Sequence, residues 1–206
     1  GIGVVNVYNK LGGKAFTKGD ALFLSSLADH AAIALENANL LTSLNQRVHS
    51  QLTLLETAIS MQRQVETSSI YDLVADKLRE VVWYDELTFY RVNQEKMTIS
   101  PVVSRGPYTE QVMAEEFHMD IGVTGWVAKT GKAQLVNDSL SDPRSVQVEG
   151  TPDEREALVA VPLVAKDAVV GVLVAYRRGE NTFTDAEFEI VQLFANQASV
   201  ALENSQ

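Results

Sequence analysis

The chain has 206 residues, 46% of them hydrophobic, with 17 Lys and Arg against 27 Asp and Glu and a formal net charge of −10. That acidic balance argues against a nucleic-acid surface or docking on anionic lipid, which need clustered basic residues, and no apolar run approaches the ~18 residues of a membrane span. There are no cysteines, which excludes thiolate metal sites, thiol nucleophiles, disulfides and thioether-linked cofactors and fits a cytoplasmic location.

Residues Val4–Tyr8 alternate weakly and predict a strand. Thr17, with Asp20 three residues on, predicts the start of a helix. No Gly or Pro then falls between Asp20 and Trp83, so a helix that is continuous or broken once is expected. Within it Leu41, Leu44, Val48, Gln51, Leu55, Ala58, Gln62 and Val65 recur at spacings of three and four, a heptad-like seam. This predicts a coiled coil between two chains; the plainer alternative is a linker helix packed on its own domain. Thr67, Ser68 and Ser69 mark a break, with Asp72 placed to complete a Ser69 capping box, and a helix follows from Ile70 to Val82.

Residues Leu87–Val92 and Met97–Val103 predict a hairpin. Thr109–Phe117 predicts a short helix. Thr124 is expected to cap another, which Gly131 ends. Ala133–Val136 predicts a strand, and Asn137–Glu156 a long polar loop. A second hairpin spans Leu158–Val164 and Val169–Tyr176. Thr184 and Glu187 form a capping box that opens a last helix ending near Asn204. The order predicts an α+β antiparallel sheet with its terminal helices packed together on one face, preceded by a long linker helix.

The end of the chain repeats its beginning. GVVNVYNK from Gly3 returns as GVLVAYRR from Gly171, Phe16 returns as Phe183, and Ala34–Asn37 returns as Ala201–Asn204. One domain type therefore occurs twice, the first copy without its front. The expected division is 1–37 as the C-terminal fragment of a first domain, 38–66 as a helical linker and 67–206 as a complete second domain.

The segment Ile121–Lys132 (IGVTGWVAKTGK), the Asn137-Asp138 and Asp142-Pro143-Arg144 groups behind it, Ala160–Leu163, Val170–Leu173 and the Phe183-Thr184…Glu187 start of the last helix resemble GAF domains. The resemblance implies a six-stranded antiparallel GAF/PAS-like sheet with helices on both sides, and a small-molecule pocket between the sheet and residues 122–155. It implies a tandem, non-catalytic sensory module of a signalling protein. A dimerising helix would relay its state to a covalent output domain such as a kinase or cyclase outside this chain. Asn9-Lys10, Phe16 and Asp20 resemble a motif of cyclic-nucleotide-binding members, so a cyclic nucleotide or other small molecule is the implied ligand; no cofactor is certain. The alternative is a ligand-free dimerisation or interaction module. The family's methionine sulfoxide reductases and bilin photoreceptors depend on cysteine, which this chain lacks.

The residues expected at the ligand are Phe89, Arg91 and Ser104 from the first hairpin, then Gly122, Val123, Thr124, Gly125 and Trp126, and Asn137 and Asp138 at the entry to the loop. The two glycines permit close backbone approach, and a helix start offers free N–H groups to an anion. Arg91 offers a counter-charge, although a solvated strand residue is the commoner case. Lys10–Asp20 and Arg178–Glu187 are expected as structural clasps from strand end to helix start, each worth ~0–1 kcal/mol at a surface. No catalytic set and no metal-ligating spacing is present.

Overall fold

The computed structural model describes residues 3–61 and 67–204; its side-chain detail excludes 55–61, 67–69 and 204. The chain divides into two compact units, Gly1–His49 and Ser50–Gln206.

In the first unit, residues 3–8 do not form the expected strand. A strand exists only by pairing, and these residues find no partner strand among those described. Their repeat, Val172–Tyr176, is paired on both sides. Val4, Val5, Val7 and Phe16 are at least half exposed, whereas their counterparts Val172, Leu173, Ala175 and Phe183 are buried. Helix α1 (Lys18–Met61) opens with the expected box: the Asp20 amide donates to Thr17 Oγ1 (3.2 Å) and the Thr17 amide to Asp20 Oδ2 (2.7 Å). Lys10 pairs with the same carboxylate. Along α1, Leu41 is exposed, Leu44 half-buried and Val48 buried. The Leu55 side chain, and Gln62 and Val65 of the expected seam, lie outside the described residues, as does the Ser69 side chain of the second capping box.

The second unit is built on a six-stranded antiparallel sheet in the order β3-β2-β1-β6-β5-β4. Its elements are α2 (Thr67–Arg79), β1 (Glu86–Asn93), β2 (Thr98–Arg105), α3 (Thr109–Met113), β3 (Phe117–His118), α4 (Gly122–Thr130), β4 (Gln134–Val136), a 3-10 turn at Ser139–Ser141, β5 (Glu156–Ala165), β6 (Ala168–Arg178) and α5 (Asp185–Asn204). Several boundaries shift by one or two residues, and three differences are larger or change a residue's role. The helix after residue 67 ends at Arg79, not Val82. Phe117 belongs to edge strand β3, not to α3. Helix α4 starts at Gly122 after an extended Ile121, so Thr124 sits inside the first turn and does not cap it.

Both faces of the sheet are covered, which is why β5 and β6 read as nearly unbroken apolar runs. On one face Leu87, Phe89, Leu173 and Ala175 are buried, as are Ile70, Val74 and Leu78 of α2 and Val191, Phe194 and Ala198 of α5; the Tyr71 and Phe89 rings lie 4.8 Å apart. On the other, Tyr90, Ile99, Val172 and Val174 pack with Met119 and with Val123 and Val127 of α4. A bulge between Phe89 and Tyr90 lets Pro101 sit within β2 without breaking the ladder. Lys166 and Asp167, both at positive φ, make the tight turn from β5 to β6. At Gly171 a Cβ would lie 2.5 Å from the Tyr90 carbonyl, so only glycine lets β6 approach β1 there. No described helix is long and apolar enough to cross a membrane.

Candidate functional site

A cavity of about 300 Å³ lies between the α4 face of the sheet and the loop that precedes β5, at the low end of the ~300–1,000 Å³ typical of small-molecule sites. Gly122, Val123 and Thr124 form one wall, Ile99, Phe117 and Leu158 supply apolar surface, and Val146 to Val148 cover it.

Its floor gathers hydroxyls from several elements. Ser104 Oγ and Thr88 Oγ1 are 3.0 Å apart. The Tyr90 hydroxyl neighbours those of Thr88 and Tyr176, and the Tyr176 hydroxyl neighbours that of Thr124. Four elements, β2, β1, β6 and α4, thereby bring hydroxyls together at the cavity. Burial holds both tyrosines above the ordinary phenol range, so they stay protonated and act as neutral donors and acceptors.

At one end of the floor stands an acid cluster. Arg178 reaches Glu86 (3.4 Å), Glu154 (3.4 Å) and Glu156 (3.7 Å). Its backbone N–H donates to Asp85 Oδ2 at 2.9 Å, and its guanidinium stacks on the Tyr108 ring at 4.1 Å. Burial pushes the Glu156 carboxyl up to about 7, against the pull of Arg178 and helped by the neighbouring carboxylates. Glu86 is raised by burial too.

The covering loop is held by its own hydrogen bonds. Arg144 donates from Nε to Asp142 Oδ1 (3.0 Å), from Nη2 to Asp142 Oδ2 (2.7 Å) and from Nη2 to Gln134 Oε1 (3.2 Å), and lies over the Trp126 ring at 4.9 Å. The Arg144 bonds hold the Asp142 carboxyl below the usual range. Gln147 Nε2 donates to the Thr151 carbonyl (2.9 Å), and Ser139 Oγ accepts the Glu156 amide (3.0 Å).

Of the expected ligand residues, Gly122, Val123 and Thr124 line this cavity, and Ser104 joins its floor through Thr88. Phe89 and Arg91 do not reach it. Phe89 packs on Tyr71 against the opposite face, and the exposed Arg91 shares that parity. The neighbours Thr88 and Tyr90 face the cavity side instead, a one-residue error in strand parity. Gly125 backs onto the Met119 carbonyl, 2.6 Å from where a Cβ would stand. Trp126 lines a separate shallow hollow with Arg144. Asn137 bridges to the start of α5: its Nδ2 donates to the Phe183 carbonyl (3.0 Å) and its Oδ1 accepts the Phe183 amide (2.9 Å). Asp138 accepts from Ser141 Oγ (2.7 Å) and lies 3.4 Å from Arg155.

The clasp at the end of β6 is made by Arg177, not by Arg178. Arg177 Nη1 lies 3.1 Å from Glu187 Oε2, and Arg177 also donates to the Trp83 carbonyl (2.9 Å). Successive strand residues point to opposite faces, so Arg177 turns toward α5 and Arg178 toward the cavity side. Tyr90, Tyr176 and Glu156 were not expected at the site. The alternation Thr88, Tyr90 in β1 carries that information, as does Tyr176 two residues before Arg178. Among the described residues no group of acids and histidines is placed to hold a metal ion.

Residues 64–203 match the family model for the GAF domain, and the chain belongs to that family. Among solved structures, it resembles the GAF domain of a phosphoenolpyruvate-protein phosphotransferase from Acinetobacter (17% identity, TM-score 0.64, 74% of this chain and 90% of the other). It also resembles free methionine-R-sulfoxide reductase from Neisseria meningitidis, solved with its substrate (19%, 0.64, 77% and 89%), and a GAF domain from A. aeolicus in an inactive state (16%, 0.62, 79% and 99%). A dual 3',5'-cyclic-AMP and -GMP phosphodiesterase of Drosophila melanogaster is 24% identical over 219 residues, which take in 99% of this chain. The chain spans 15% of that relative's length. GAF domains of this kind serve mostly as regulatory parts of signalling proteins, and some members are enzymes.

Proposed function

We propose that this chain is a non-catalytic sensory module of a larger signalling protein, and that the cavity beneath residues 139–148 takes a small ligand whose arrival is relayed through α5 and α1. The observation that carries this is the meeting of Tyr90, Tyr176 and Thr124, from β1, β6 and α4, at one cavity, with the Ser104–Thr88 contact of β2 and β1 behind Tyr90. A ligand that prefers one arrangement of these side chains shifts the balance between two states of the domain. Residues 1–37 are read as the C-terminal fragment of a second such domain: apolar side chains buried in the later copy are exposed in the earlier one. A cyclic nucleotide draws support from the Asn9-Lys10…Asp20 pattern and from the phosphodiesterase relative. The cavity itself is lined by four carboxylates, which weigh against a phosphate.

The test is thermal unfolding with a small-molecule panel that includes cyclic AMP and cyclic GMP. A ligand should raise the Tm of the native chain, and Val123→Trp, which fills the cavity, should abolish the rise. A rise that survives Val123→Trp places the ligand elsewhere and sinks this proposal.

A second proposal concerns assembly. Leu40 and Leu41 of α1 are more than half exposed and share a face with half-buried Leu44, a face that a second copy of the helix would cover. Leu41→Asp with Leu44→Asp should then give monomers in sedimentation, and an unchanged dimer would refute it.

A further inference from the structure

The charges around the cavity are one-sided. Asp142, Asp153, Glu154 and Glu156 line it, and among the described lining residues there is no Lys or Arg. Arg144 grips both Asp142 oxygens, so that carboxylate is already matched. At the other end Arg178 alone serves Glu86, Glu154 and Glu156, at 3.4 to 3.7 Å, distances too long for strong charge-assisted bonds. Three acids share one guanidinium. The uncapped first turn of α4 also borders the cavity and would favour an anion, but a helix end counts for only about half a positive charge, less than the surplus of acid. Beside the acids stand the rings of Tyr90, Phe117 and Tyr176, whose faces attract cations.

We propose that the cavity accepts a small organic cation, a primary or quaternary ammonium compound, with its charge against Glu154 and Glu156 and its hydrocarbon part against Tyr90, Phe117 and Tyr176. This rests on the cavity being a ligand site at all. The incoming cation supplies the positive charge that Arg178 cannot give to every neighbour. It also draws the proton from Glu156, whose buried carboxyl holds it up to about 7. The other charged and titratable groups facing Glu156 are Arg178, Glu86, Glu154, Asp85 and Tyr176. Binding therefore weakens as the pH falls below neutrality, because the cation must then displace a proton.

Three probes of one body and different charge make the test: isopentylamine, isopentanol and isovalerate, with cyclic AMP as a nucleotide contrast. Binding is followed through the methyl resonances of Ile99, Val123, Val148 and Leu158 in the full chain. The amine should bind at least about tenfold more tightly than the carboxylate. Glu156→Gln and Glu154→Gln, scored separately in case one perturbs the fold, should each reduce that preference. Isovalerate or cyclic AMP binding as well as the amine overturns the charge assignment and leaves the ligand site standing. Silence of these methyls toward all four probes overturns both.

Discussion

Arg177 and Glu187 close the domain across the junction of β6 and α5, with Arg177 Nη1 3.1 Å from Glu187 Oε2 and only 6% of the arginine side chain exposed. The guanidinium lies 4.0 Å from the Phe183 ring and also donates to the Trp83 carbonyl. Arg177→Ala strands Glu187 and the Trp83 and Thr182 carbonyls, and should cost about 3 kcal/mol in urea unfolding. Glu187→Gln keeps an acceptor for the Thr184 amide and should cost only about 1 kcal/mol. Burial raises the Glu187 carboxyl, but Arg177 and Thr184 outweigh it and hold it below its usual value. The clasp is therefore fully present above the unfolded carboxylate pKa and is lost as the pH falls through the lower folded one.

Glu156 behaves in the opposite sense. Its folded carboxyl is raised to about 7 from 4.5, so between those values the native state holds more protons than the unfolded one. Its contribution is complete below the unfolded pKa and disappears as the pH rises through about 7. Glu156→Gln, which never ionises, should be more stable than the native chain at pH ~8 by on the order of 1 kcal/mol after allowance for solvent screening. The difference should vanish near pH ~5. Equal midpoints for the two proteins across that range would show that Glu156 ionises freely.

How much of this was legible in the sequence follows the kind of interaction involved. The GAF fold could be read because its signals are local. Thr184 and Glu187 box one helix start, Gly131 at φ 67° ends another, and long apolar runs mark β5 and β6. The site was harder because strand parity decides it. Phe89 and Arg91 point one way and Thr88 and Tyr90 the other, and no property of those four residues states which face carries the cavity. The same ambiguity exchanged Arg177 for Arg178. Residues 3–8 carry the pattern of a strand, but pairing is not a property of the segment alone.

The loop over the cavity depends on Arg144, which joins Asp142, Gln134 and the Trp126 ring. Arg144→Ala should loosen residues 139–155 with little effect on the sheet. Hydrogen exchange would show it as faster exchange of the Ser145 amide, which bonds the Asp142 carbonyl at 3.0 Å, while the β1 and β6 amides stay protected. Global stability should fall by only about 1 kcal/mol. Uniform loss of protection would instead make Arg144 part of the core structure.

Gly122 and Gly125 sit three residues apart in one motif for different reasons, and alanine separates them. At Gly125 a Cβ would stand 2.6 Å from the Met119 carbonyl, a backbone atom that cannot swing aside, so Gly125→Ala must push α4 away from β3. A cost of about 2–3 kcal/mol is expected from overpacking. At Gly122 a Cβ meets nothing within 4 Å, but φ is 77°, so the penalty is backbone strain of about 1 kcal/mol. Thermal unfolding ranks the two. Because the Gly122 methyl would enter open space beside the cavity, Gly122→Ala should also alter ligand affinity more than its small stability cost suggests. If Gly122→Ala proves the more damaging to the fold, α4 is held by its first turn and not by its contact with Met119.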